Sequence, residues 1–79
     1  MLLEMNQAVQ PAKQFDAAIR REIWWTLTSN PLMPYLASID GVDWHLQIND
    51  FPDESLYTLF IGEQQIGDLD DWPVAWHRP

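Results

Sequence analysis

The chain has no cysteine among its 79 residues, so no disulfide braces it, and its two histidines, His45 and His77, cannot by themselves complete a structural zinc site. Glycine is scarce. Gly41, Gly62 and Gly67 are the three present, and none stands in a Walker or dinucleotide-binding pattern, which argues against a phosphate-cradling loop. Positive charge is scarce too: Lys13, Arg20, Arg21 and Arg78 face twelve carboxylate side chains, for a net charge of -8. Such a field repels nucleic acid and anionic membrane. No apolar run approaches the roughly 18–20 residues that span a bilayer. The opening Met1-Leu2-Leu3-Glu4-Met5 has neither the basic start nor the long apolar stretch of an export signal. The expectation is a cytoplasmic protein, and the absence of cysteine fits a reducing compartment.

What the chain does have is aromatic mass and acid. Five tryptophans, three phenylalanines and two tyrosines are available, each ring able to bury about 150–250 Å². Residues 1–79 form one small domain, because a chain of this length has material for a single core. Domains of this size draw about 3–5 kcal/mol from that core and often need a staple. Without disulfide or metal, aromatic packing or self-association has to serve. The acid is segregated. Residues 1–39 balance Glu4, Asp16 and Glu22 against Lys13, Arg20 and Arg21, whereas residues 40–79 carry nine carboxylates against Arg78 alone.

From Pro11, a residue suited to the first helical position, Phe15, Ile19, Ile23 and Leu27 recur every four residues, with Ala12, Ala18 and Trp24 broadening the stripe, while Lys13, Asp16, Arg20 and Arg21 take the other side. The pattern predicts a helix over 11–28, ending before Pro31. Residues 1–10 show no clear period and read as a helical turn, a strand or a frayed end. Asn30-Pro31 resembles a cap, predicting one or two further turns over 32–38. After Asp40-Gly41 the period becomes two: Val42, Trp44, Leu46 and Ile48 alternate with Asp43, His45, Gln47 and Asn49 as a half-buried strand. A turn-rich loop, Asn49 to Glu54, leads to a second strand over 56–61. Gly62 to Gln65 then reads as a turn before a short third strand over 66–69. Short connections require antiparallel pairing. The expected fold is therefore α+β: one N-terminal amphipathic helix packed on a three-stranded antiparallel meander, with a short Trp-rich C-terminal tail.

Little in this pattern supports catalysis. Asp43 lies two residues from His45 on one strand face, but a general base also needs a nucleophile or substrate in reach, and an exposed histidine beside an acid is the plainer reading. Asp70 and Asp71, as neighbours, point different ways. The acidic stretches Asp50 to Glu54 and Asp68 to Asp71 lack the spacing of a calcium loop and read as solvated. The chain is expected to be non-enzymatic, without cofactor or metal.

One segment combines acid with large rings: Asp68-Leu69-Asp70-Asp71-Trp72-Pro73-Val74-Ala75-Trp76. Carboxylates beside indoles suit docking to a basic protein, and Asp68, Asp70, Asp71, Trp72 and Trp76, with Asp53 and Glu54, are the candidate contact residues. The competing structural reading has Trp72 and Trp76 closing the core. In size and charge alone the chain is similar to small acidic immunity proteins, antitoxins and nucleic-acid mimics, which implies an inhibitor of a basic partner. The alternatives are a structural or homo-oligomeric protein whose aromatics bury one another in a homodimer, and a carbohydrate or small-ligand binder with a tryptophan platform.

Overall fold

The structure, a computed structural model, describes residues 11–79; the segment 1–10, read above as turn, strand or frayed end, lies outside the described residues. Helix α1 (Pro11–Arg20) begins at its proline and turns Phe15, Ala18 and Ile19 inward. Outside, Asp16 and Arg20 pair at 3.2 Å across one turn, and Arg20 sits where the helix dipole favours a cation. The helix stops eight residues short of the expected 28. The next residues alternate instead: Ile23 and Trp25 are each 2% exposed, while Trp24 is 63% and Leu27 67% exposed. That is strand periodicity in a run of β-branched and aromatic residues, which pack better on a pleated surface than in a helix. They form β1 (Ile23–Trp24) and β2 (Thr26–Leu27).

The helical turns expected over 32–38 are also replaced. Thr28 Oγ1 accepts from the Asn30 N–H at 3.1 Å and donates to the Met33 carbonyl at 2.8 Å, while Asn30 Oδ1 accepts from the Leu32 N–H at 3.0 Å. These local bonds close a loop, and Tyr35–Ile39 leaves it as β3. Asp40 and Gly41, at φ 53° and 79°, make the tight turn into β4 (Val42–Ile48), since paired positive φ values suit the right-handed twist of a hairpin. β5 (Tyr57–Ile61) and β6 (Gln64–Leu69) complete an antiparallel sheet in the order β2-β3-β4-β5-β6. The sheet therefore has five strands rather than three. β7 (Trp76–His77) runs parallel to β1, pairing Ile23 with Trp76, so the tail is held as a strand.

The register assigns the faces. Ala37, Trp44 and Ile61 form one cross-strand row and Tyr35, Leu46 and Leu59 the next, both pointing at α1 and the tail. Leu46 and Leu59 are fully buried. Gly67 is the floor for Phe15, because a Cβ there would stand 2.8 Å from Phe15 Cδ1. An aromatic cluster takes the place of a covalent staple. Trp72 lies 5.1 Å from Tyr35, 5.8 Å from Tyr57 and 5.8 Å from Trp76, mostly edge to face, and Trp76 lies 5.1 Å from Trp25. The Trp76 indole N–H donates to the Ala18 carbonyl at 3.0 Å, satisfying a helix-end acceptor from 58 residues away.

Candidate functional site

A ten-residue helix cannot cover a five-stranded sheet, so a groove is left along each flank of α1. The flank toward β6 carries the acid. There Phe15 and Ile19 of α1 and Leu69 of β6 floor a groove of about 400 Å³. Pro73 and Val74 form the far wall, Asp70 and Asp71 stand on the rim, and β6 closes the side at Asp68. Val74 is 93% exposed, an apolar side chain offered to solvent at the mouth. Arg20 also lines this groove, but its guanidinium is engaged by Asp16.

Two of these three aspartates are held in place, Asp68 with its carboxylate turned to the face away from α1. Thr58 Oγ1 donates to Asp68 Oδ1 at 2.7 Å, and the Leu56 N–H donates to Asp70 Oδ1 at 3.1 Å. Each bond uses one oxygen and fixes the other in direction, which lowers the entropy lost when a cation is bound. Asp68 is anchored because Thr58, 5% exposed, sits beside it across the β5–β6 ladder. Thr58 in turn accepts from Asn49 Nδ2 at 2.8 Å, and Asn49 Oδ1 accepts from Gln47 Nε2 at 2.8 Å. This polar chain lies on the sheet face away from α1. It borders a shallow cavity of about 350 Å³ that includes Glu54, Gln65 and the other side of Asp68.

The candidate contact residues thus separate into three groups. Asp68, Asp70 and Asp71 come together on one groove. Glu54 meets Asp68 only through the outer-face cavity, where Glu54 Oε1 accepts from the Asp50 N–H at 3.1 Å, and Asp53 is an exposed residue of the same loop. Trp72 and Trp76 serve the core: Trp76 is 3% exposed, and half-buried Trp72 donates its indole N–H to the Trp76 carbonyl at 2.8 Å beneath the Arg78 guanidinium, 4.4 Å from the ring centroid. The exposed indole is Trp24, stacked on His77 with centroids 4.6 Å apart, and His77 Nε2 lies 2.8 Å from Glu22 Oε2. Helical periodicity concealed that contact, because it placed Trp24 on the stripe facing the core.

His45 lies half-buried between Leu36 and Phe60 on the outer sheet face, with Asp43 one register step away beside Ser38. Among the described residues no group of three or more His, Cys, Asp or Glu side chains is placed to hold a metal ion. No helix of the described residues is long and apolar enough to cross a membrane. Comparison with known protein families, curated proteins and solved structures finds no match to this chain.

Proposed function

We propose that the chain is a non-catalytic acidic module that docks on a basic protein and inhibits or masks it. The observation that supports this reading most is the acidic groove, where Asp70 and Asp71 border an apolar floor of Phe15, Ile19 and Leu69 and Asp68 adds its charge from the outer face of β6. Lysine and arginine side chains have a matching form, with an aliphatic stem for the floor and a cationic head for the rim. The surrounding field works in the same direction, since nine of the twelve carboxylates lie in residues 40–79. Long-range attraction of that kind raises the encounter rate with a cationic surface and is screened by salt. The contact area assigned to indoles in the sequence passes in this reading to Val74, Pro73 and the helix flank.

The test compares wild-type chain with the D68N/D70N/D71N variant, each immobilised and exposed to a lysate of the source at low and high salt. Retention of one basic protein by wild type, its release by salt and its absence from the variant support the proposal. Equal retention by the two forms refutes it.

A second reading, a homodimer, draws on a different surface. Leu27, at the end of β2, and Leu32, within the β2–β3 loop, are 67% and 68% exposed, and Ile48, 39% exposed, lies beside the loop because its N–H bonds the Leu32 carbonyl at 2.9 Å. That apolar end suits a two-fold contact. Sedimentation over a hundredfold dilution, with L32E as the control, separates the two: a dimer dissociates on dilution or on L32E, and docking through the acidic groove is indifferent to both.

A further inference from the structure

On the other flank of α1 the geometry points to a second site, and we infer that it binds a small apolar carboxylate bearing an N–H or O–H next to the acid group. Gln14, Ala17 and Ala18 share one face of α1, and Arg21, the first residue past its end, continues the same side at the i+7 position. That face looks onto Trp44 of β4 and Ile61 of β5 across a groove of about 340 Å³. The two alanines keep the groove open where longer side chains would fill it. Its size falls at the lower end of the range for small-molecule sites, roughly 300–1,000 Å³.

Three features select the ligand. The first is charge: Lys13 and Arg21, two of the four cations in a chain of net charge -8, both line this groove. Arg21 has an anionic neighbour in Asp40, but at 3.6 Å and with both side chains largely exposed the contact is loose and exchangeable. The second is an unmet acceptor. Gln14 Oε1 is buried without a hydrogen-bond partner, and because the half-buried Gln14 side chain lines the groove, a turn of that side chain would bring the carbonyl to a ligand donor and relieve it. The third is the apolar floor of Trp44 and Ile61. A carboxylate answers the cations, a neighbouring N–H or O–H answers Gln14, and an aliphatic body answers the floor. An amine would meet two like charges, a phosphate would leave the floor wet, and a neutral hydrocarbon would leave Gln14 and both cations unanswered.

N-acylated leucine has this chemistry, whether as a free molecule or as the end of a peptide chain. The site is independent of the acidic groove, which lies on the opposite flank and has the opposite sign.

The experiment titrates N-acetyl-L-leucine into the ¹⁵N-labelled full chain and follows amide and indole resonances. Saturable shifts at the Gln14 side-chain amide, the Trp44 indole N–H and the backbone of residues 13–21 are expected. N-acetyl-L-leucinamide, which lacks the charge, should bind roughly tenfold more weakly, and K13A/R21A should lose a similar factor. Gln14→Met should weaken binding while raising the melting temperature, an opposed pair that a purely structural role for Gln14 would not give. A leucine-terminated tetrapeptide that binds more tightly than N-acetyl-leucine identifies a chain end as the source of the ligand, and weaker binding identifies the free molecule. The inference is overturned if millimolar N-acetyl-leucine gives no saturable shift at these groups, if the amide binds as tightly as the acid, or if K13A/R21A leaves the affinity unchanged.

Discussion

Replacing Gly67 with alanine tests how the helix is seated on the sheet. A Cβ at this position would lie 2.8 Å from Phe15 Cδ1 and 3.1 Å from both Cγ and Cε1, so one edge of the ring is met by a methyl group at three atoms. Carbon atoms pack at about 3.5–4.0 Å, so the ring has to retreat by several tenths of an ångström. Its retreat is partly open, because half-buried Phe15 borders the acidic groove rather than the sealed core. Overpacking of a filled site costs about 1–3 kcal/mol. Against this, alanine restricts the unfolded chain and returns about 0.4–1 kcal/mol, since Gly67 does not occupy the left-handed region. The net expectation is a loss of about 1–2 kcal/mol, equivalent to a fall in melting temperature of roughly 4–16 °C for a domain of this size. Urea unfolding followed by tryptophan fluorescence measures it, and an unchanged slope with a lower midpoint marks a change in stability alone. The same loss should largely vanish in a Phe15→Ala background, giving a coupling energy of about 0.5–3 kcal/mol. A neutral or stabilising G67A, or additivity in the double mutant, would refute this account of how α1 packs on β6.

Three further outcomes follow from the same geometry. Leu59→Ala should cost about 2–5 kcal/mol by urea unfolding because Leu59 is fully buried at the sheet centre, while Leu27→Ala, 67% exposed, should stay within about 0.5 kcal/mol of wild type. Gly41→Ala, placed at φ 79° with open space around its Cβ, should lose about 1–2 kcal/mol from backbone strain alone, and Gly41→Asn should recover part of it because asparagine tolerates that region. Added salt should raise the melting temperature of the wild type, because nine carboxylates in residues 40–79 repel one another, and the effect should shrink in D68N/D70N/D71N.

The two grooves give the two flanks of the helix different surroundings. Its inner residues Phe15, Ala18 and Ile19 join the core, while its flanks offer surfaces of opposite sign, with Lys13 and Arg21 on one side and the β6–tail carboxylates on the other. Arg20 and Asp16 neutralise each other on the exposed side, so neither disturbs that polarity.

Residue order alone determined the charge segregation, the start of α1 at Pro11, and the strand Val42–Ile48, whose strict alternation has no helical counterpart. It also carried the Asp40-Gly41 turn, a strong hairpin signal, although the helical turns expected over 32–38 hid β3 on the near side of that turn. Residues 21–28 were different in kind. Phe15, Ile19, Ile23 and Leu27 satisfy a helical period, and Ile23, Trp24, Trp25 and Thr26 equally satisfy a strand, so local pattern leaves the two states near balance. The decision came from afar: two-residue strands persist only when paired, and β1 finds its partner at Trp76–His77 while β2 finds Leu36 and Tyr35. The fate of the tryptophans was settled in the same way. Composition supplied five indoles, but only the closing of the tail over α1 put Trp76 under Ala18 and Trp72 among the tyrosines, leaving Trp24 outside. The grooves, too, belong to the tertiary level, since each is the gap between a short helix and a wider sheet, and no stretch of sequence contains both of its walls.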